Sequence, residues 1–334
     1  MAKGLDVGTS FIVLSKKVAH DSIAYKDFRD AFYIIEPTNI IANKMIEKGL
    51  SGKIFVKDKD GSFIVLGQDA IDKALEKNES AKRPMYRGIV SPKEKDSKRI
   101  LSFILKEVVG KPEAENEKIV FCVPSQPIDQ EDEDFDVSYH EDVIKTVLKD
   151  CGYNPRSINE AQALCYAELE NDNYTGIGLS WGAGMVNVCI MLNGEPVLTF
   201  STTKSGDWID HMSAIAVNET DGVVQTEKEN GDFTVGKNND NPILAAVSSY
   251  YERLIDYTTK QLTVALKESK SLPKFKTPLT IVIAGGTSQA KGFKEVFAKK
   301  LVENGFPLSV KEVKQSDDPL HAVSKGCLIA ALVL

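Results

Sequence analysis

One pattern constrains this chain more than any other, because it occurs twice. Leu5-Asp6-Val7-Gly8-Thr9-Ser10 breaks an apolar strand, and Phe11-Ile12-Val13-Leu14 begins the next. About half the chain later, Gly176 to Leu179 reads as a strand, Gly182-Ala183-Gly184 as a turn, and Val186 to Met191 as a second strand. Two β-hairpins with small-residue tips, each opening a segment of roughly 150 residues, point to two related α/β halves. The 334 residues are ample for two buried cores.

The remaining pattern alternates strands and helices. Ala31 to Ile35 is a strand candidate ended by Glu36-Pro37, and Ile54 to Leu66 a hairpin whose Asp60-Gly61 supplies the positive φ of a tight turn. Ile100, Leu101, Ile104, Leu105 and Val108 have helical spacing, stopped by Gly110 and Pro112. Ile119 to Val123 reads as a buried strand, and Val143, Ile144, Val147 and Leu148 mark a helix with Gly152 past its end. In the second half, Asn193-Gly194 turns the chain into Val197 to Phe200. The polar stretch from Ser213 to Asn241 reads as a loop or small hairpin. Asn241-Pro242 then begins a long helix, followed by a strand at Leu279 to Ala284 and a helix carrying Phe293, Val296, Phe297 and Leu301.

Charge and composition remove several classes. Lys+Arg number 41 against 48 Asp+Glu, a net charge of −7, so no global attraction for nucleic acid or anionic membrane is expected. The longest apolar run, Cys327 to Leu334, falls far short of the ~20 residues of a membrane span. It reads as a buried last helix, with membrane contact peripheral at most. The N-terminus shows no signal segment, and Cys122, Cys151, Cys165, Cys189 and Cys327 read as reduced core residues, so a cytoplasmic protein is expected. His20, His140, His211 and His321 lack metal-ligand spacing and read as surface or supporting residues. The acidic stretch Asp129 to Asp136 lacks the Gly and spacing of a calcium loop and reads as a solvated segment.

Gly178-Leu179-Ser180-Trp181-Gly182 matches the spacing of a hydrolase nucleophile elbow, but a strand rather than a helix follows it. Neither a P-loop nor a dinucleotide-binding glycine motif is present. Asp6-Val7-Gly8-Thr9-Ser10 is a better signal. A turn of Gly, Thr and Ser can aim N–H groups and hydroxyls at phosphate oxygens, and a neighbouring acid can hold a hydrated magnesium ion. Gly182-Ala183-Gly184 offers a second set from the other half. Gly285-Gly286-Thr287, between a buried strand and a helix, lets backbone approach a flat ligand closely. Each is also what an ordinary tight turn requires; their order along one chain makes the case.

Taken together, these motifs resemble the actin and heat-shock-chaperone ATPase superfamily over nearly the whole chain. Asp6-Val7-Gly8-Thr9 is similar to its first phosphate motif, Gly182-Ala183-Gly184 to the second, and Ile283 to Ser288 with Gly292 to the adenosine motif. Asn159 to Ala167 and Asp318 to Gly326 resemble its two connecting helices. Glu36-Pro37-Thr38, Arg83 to Val90 and Ser205 to Asp210 resemble stretches of the bacterial rod-shape actin-like filament proteins.

The resemblance implies two ribonuclease-H-like halves, 1–150 and 151–334, with small inserted subdomains at about 33–80 and 211–278. It implies ATP or ADP with Mg²⁺, the ion held by Asp6. Phosphates would lie on Asp6, Gly8, Thr9, Ser10, Gly182, Ala183 and Gly184, adenosine against Gly285, Gly286 and Thr287, and ribose near Gly206 and Asp207. Glu160 takes the place of the residue that positions the attacking water. Two departures stand out: Ser180 occupies the place of the second motif's usual Asp, and Met185 follows its second Gly. Hydrolysis is therefore expected to be slow. The expected function is self-association into cytoskeletal filaments, with a cytosolic adaptor allowed. The alternatives are a monomeric ATP-dependent scaffold or assembly factor and a small-molecule kinase of the same superfamily.

Overall fold

The computed structural model describes residues 2–18, 22–130, 135–270 and 272–334; His20 and positions 131–134 of the acidic stretch lie outside them. In chain order the first half contains β1 (Ala2–Val7), β2 (Phe11–Lys17), β3 (Ile23–Arg29), β4 (Phe32–Ile35), α1 (Ile40–Gly49), β5 (Phe55–Lys57), β6 (Phe63–Leu66) and α2 (Gln68–Leu75). It continues with β7 (Met85–Tyr86), β8 (Ile89–Val90), α3 (Ser97–Val109), β9 (Lys118–Val123), α4 (Val137–Asp150) and β10 (Asn154–Asn159). After α5 (Glu160–Glu168) come β11 (Gly176–Trp181), β12 (Val186–Leu192), β13 (Glu195–Thr202), α6 (Gly206–Val217), α7 (Asp221–Asn230) and α8 (Pro242–Glu268). Then follow β14 (Leu279–Ala284), α9 (Phe293–Glu303), β15 (Val310–Gln315) and α10 (Ala322–Val333).

The duplication read from the two hairpins is a duplication of topology. One sheet has the order β3-β2-β1-β9-β10 and the other β13-β12-β11-β14-β15. In both, the first three strands pair antiparallel and the last two add in parallel. The parallel additions require crossovers, which α3 and α4 supply on one side and α8 and α9 on the other. Helix–sheet packing buries Leu5, Ile104, Phe121 and Leu148 in the first core and Trp181, Leu254, Ile281 and Phe293 in the second.

Between the sheets lie α5 and α10. Their shared core is made of small residues, among them Ala161, Ala163, Cys165, Cys189, Ala322 and Cys327. A Cβ at Gly326 would sit 1.8 Å from the Ala163 carbonyl oxygen, so the helix backbones meet with no room for a side chain. The cysteines are free and, Cys151 apart, buried, as their apolar surroundings suggest. No helix among the described residues is long and apolar enough to cross a membrane.

The stretch from Ser213 to Asn241 differs from its reading as a loop. It holds the end of α6 and the whole of α7, whose N-cap Thr220 accepts from Val223 N–H. Helix α7 buries only Val224 and so presents no apolar stripe. His140 also departs from expectation: it is fully buried on α4, its Nδ1 accepting from Val90 N–H at 3.2 Å. Asp318 to His321 form a turn before α10 rather than its first residues.

Candidate functional site

A cleft of ≈ 680 Å³ runs between the two sheets, and both hairpin tips open into it. At the first tip, Gly8 N–H donates to Phe11 C=O at 3.0 Å, and a Cβ on Gly8 would lie 2.7 Å from that oxygen. At the second, Gly182 N–H donates to Met185 C=O at 3.0 Å. The tips touch: a Cβ on Gly184 would fall 2.4 Å from Thr9 Oγ1, which itself accepts from Gly88 N–H at 2.9 Å. Met185, at the second departure from the motif, is buried against Ile89 and Phe135 and closes the contact between halves. The amides of Thr9, Ser10, Ala183 and Gly184 have no acceptor among the described residues. Tip amides left without partners are suited to bind anions.

The second tip is braced from behind. Gly206 and Asp207 N–H donate to the carbonyls of Gly182 and Ala183 at 3.2 and 2.8 Å, and Thr287 Oγ1 donates to the Gly182 carbonyl at 2.8 Å. Gly285 adopts φ +93°, and a Cβ there would be 2.4 Å from Trp181 O. Its amide donates to Pro319 C=O at 2.8 Å, tying the third glycine turn to the segment entering α10.

Asp6, Gly8, Thr9, Ser10, Glu160, Gly182, Ala183, Gly184, Asp207, Gly285, Gly286 and Thr287 all line this cleft, and Ser180 joins them. Gly206 does not line it and sits one layer behind, where a Cβ would meet Thr287 Oγ1 at 2.6 Å. Asp6 Oδ1 accepts from Cys122 Sγ at 3.1 Å. Glu160 begins α5, whose N-cap Asn159 accepts from Ala161 and Gln162 N–H. Burial pushes both carboxyls up. The bond from Cys122 opposes this at Asp6; at Glu160 the nearby Asp6 adds to it and bonds from Ser180 and Asn187 oppose it. Two sheltered carboxyls facing one another are a place for a cation, yet no group of three metal-ligating side chains occurs among the described residues. An ion here would need ligands from a bound anion as well.

Four further residues shape the site without a local signal in the sequence. Asn187 Nδ2 donates to Glu160 Oε2 at 2.8 Å. Arg83 reaches Asp207, Arg29 reaches Glu229, and Lys228 holds the buried Asp210. The acidic stretch shows no cation site among its described members: Asp129 accepts from Thr203 N–H and Tyr257 O–H, and Asp136 caps α4.

A family model described as Volactin matches residues 1–331. No curated protein matches the chain in sequence. Among solved structures, a MamK double helical filament shares 16% identity over 99% of this chain and 98% of that one, with TM-score 0.69. MreB5 of Spiroplasma citri bound to AMPPNP shares 14% identity, covering 99% and 96%, also at 0.69. The ethanolamine utilization protein EutJ from Carboxydothermus hydrogenoformans shares 16%, covering 98% and 88%, at 0.56. These likenesses establish an actin-like ATPase fold, two ribonuclease-H-like halves with a small inserted subdomain in each.

Proposed function

The chain belongs to the volactin family, and from that premise we propose that it is a cytoplasmic actin-like protein that binds ATP, hydrolyses it slowly and polymerises into filaments. The observation that carries this reading is the meeting of Thr9 and Gly184. Two hairpin tips from different sheets touch over one cleft, so a ligand held by both would fix the angle between the halves. Support from relatives is consistent with it: one solved structure is a filament and another holds AMPPNP. In this reading the halves are about 1–150 and 151–334, with β10 just past the boundary returning to pair in the first sheet. The inserts span about 33–80 and 211–278.

The residues suit a magnesium polyphosphate. Unpartnered tip amides would receive phosphate oxygens. The facing carboxyls of Asp6 and Glu160, unfavourable as two anions, would be relieved by a divalent ion that Asp6 holds with phosphate. When bound, the ion neutralises phosphate charge and screens the leaving group. Glu160, held by Asn187, would orient a water toward the terminal phosphate. Ser180 gives the site one carboxylate fewer than its relatives' usual pattern, which keeps turnover slow. Thr287 and Gly285 would flank adenosine, and Asp207 would accept from a ribose hydroxyl.

Head-to-tail contact between two different surfaces does not close on itself, so it propagates as a fibre. The test is light scattering at rising protein concentration with and without Mg²⁺ and ATP, followed by negative-stain imaging. ATP-dependent scattering with filaments is expected. A protein that binds ATP but stays monomeric well above micromolar concentration would instead be a monomeric scaffold. Calorimetry on Asp6→Ala should show weakened ATP affinity in a folded protein; unchanged affinity would refute the site.

A further inference from the structure

The outer edge of the cleft is crossed by two arginines of the first half that grip helices of the second. Arg83 lies between the first insert and β7; its Nη1 donates to Asp207 Oδ1 at 2.7 Å and its Nη2 to Gln225 Oε1 at 3.0 Å. Arg29, at the end of β3, donates to both carboxylate oxygens of Glu229, one at 3.1 Å, and to Ser10 Oγ at 3.1 Å. Its guanidinium centre lies 4.0 Å from the centroid of the Phe11 ring. Asp207 lies in the first turn of α6, and Gln225 and Glu229 lie on α7. Charge-assisted forks of this kind are geometrically demanding, so they hold only when the two halves stand at this separation.

Asp30 is the unexplained group beside them. It is fully buried, and neither carboxyl oxygen has a hydrogen-bond partner among the described residues. Burial pushes its carboxyl well above the usual range while the charge of Arg83 pulls the other way. A sealed, unpartnered carboxyl costs stability in the arrangement seen here. That cost has a use if the group finds its partner in another arrangement. Arg83 cannot discharge by losing a proton. Pulled away from Asp207, it needs another acceptor, and Asp30 belongs to its own half.

We propose that Arg29 and Arg83 form a latch across the cleft, and that Arg83 exchanges Asp207 in the closed arrangement for Asp30 in the open one. On opening, the Asp30 carboxylate, left without a partner in the closed arrangement, receives the guanidinium, so the open arrangement has an ion pair of its own. In the closed arrangement Arg83 is a positioning residue. It holds Asp207, a residue that lines the cleft, through Oδ1. For its ligand-dependent part the proposal rests on the nucleotide reading above; the latch itself does not.

The experiment follows release of a fluorescent ATP analogue, chased with unlabelled ATP in a stopped-flow instrument. Small-angle scattering of the nucleotide-free proteins reports separation of the halves independently. Arg83→Met and Arg29→Met should each speed release about tenfold, within the ordinary range of coupling between sites. Both should raise the radius of gyration. Asp30→Asn, which removes the open-state acceptor, should slow release, and should have no effect in an Arg83→Met background. If Asp30→Asn fails to fold by thermal melting, Asp30→Ser replaces it and is read in the same way, slowing release in the parent and having no effect in the Arg83→Met background. Unchanged release and unchanged scattering in the arginine variants would overturn the latch; an Asp30→Asn protein that releases ligand at the parental rate would overturn the exchange. A parent protein that binds no ATP analogue would refute the nucleotide reading instead, with scattering still deciding the latch.

Discussion

Asn187 on β12 donates from Nδ2 to Glu160 Oε2 at 2.8 Å, while its Oδ1 accepts from Ser125 N–H at 2.8 Å. The amide is thus locked on one side to the loop after β9 and on the other to the carboxyl at the start of α5. Asn187 is 1% exposed, so water cannot replace either bond. Its spacing from Glu160 in the chain conveys nothing of this, because the two meet only when the second hairpin folds over the first connecting helix.

That lock predicts a separation of binding from turnover. Asn187→Ala frees the Glu160 carboxyl to rotate but leaves the hairpin tips in place. ATP affinity by calorimetry should hold within about twofold, whereas single-turnover hydrolysis should slow by about tenfold or more, as when a supporting hydrogen bond to a reacting group is lost. Equal loss of both would mean that Asn187 supports the fold rather than the reaction.

The contact of the two tips predicts the effect of one methyl group. In Gly184→Ala the new Cβ would fall 2.4 Å from Thr9 Oγ1, 2.9 Å from Gly88 N and 3.0 Å from Arg87 Cα. Two of these three neighbours are backbone, so the halves must separate. Overpacking of this kind costs about 1–3 kcal/mol. Denaturant titration should show that loss, and ATP affinity should fall as well. The same substitution at Gly286, which has no described residue within 4 Å of its ideal Cβ, should be close to neutral in stability.

Two histidines predict opposite pH dependences. His321 faces Asp318 through Nδ1 at 2.7 Å and Asp27 through Nε2 at 2.9 Å, with Tyr25 stacked on its face. A ring that donates to carboxylates from both nitrogens is an imidazolium. Burial lowers its pKa, but the two carboxylates outweigh this and raise it above 6.5. Its contribution is therefore complete below 6.5 and lost as pH rises through the folded value. His140 is the reverse. Burial lowers it to about 4, against a small opposing effect of Glu141, so its stability is present above 6.5 and is lost as pH falls toward 4. Melting temperatures between pH 4 and 9 should fall off on both sides. His321→Gln should flatten the alkaline side alone; an unchanged alkaline limb would remove His321 from the account.

Much of this architecture is legible in the residues, for definite reasons. Gly and Asn at positive φ mark the turns at Gly61, Gly152 and Gly194, and the central strands are continuous apolar runs. The strands that escape notice are edges or next to polar neighbours. β15, Val-Lys-Glu-Val-Lys-Gln, has no buried residue, and β10 carries Pro155. Helix α7 buries one side chain, so its polar sequence imitates a loop. The cleft's glycine turns are local and can be read. The Arg83–Asp207 pair is separated by 124 positions and exists only in three dimensions.

Ser180 supplies the last prediction. It is 2% exposed, lines the cleft, and opposes the upward push of burial on the Glu160 carboxyl. Ser180→Asp restores the acid usual at this place but brings a third carboxyl beside Asp6 and Glu160, both already pushed up by burial. Like charges in a sheltered site disfavour ionisation of the whole set. The variant should therefore melt below the parent in chelator, and more so as pH rises from 5 to 8, because protons that neutralise the cluster are lost. Mg²⁺ with ATP supplies the missing positive charge, so the gain in melting temperature on adding them should be larger in the variant than in the parent. Turnover under the same conditions should rise. A variant that melts lower by the same amount with and without Mg²⁺-ATP would show that the cleft holds no cation near these carboxyls, and the assignment of Asp6 to magnesium would fall with it.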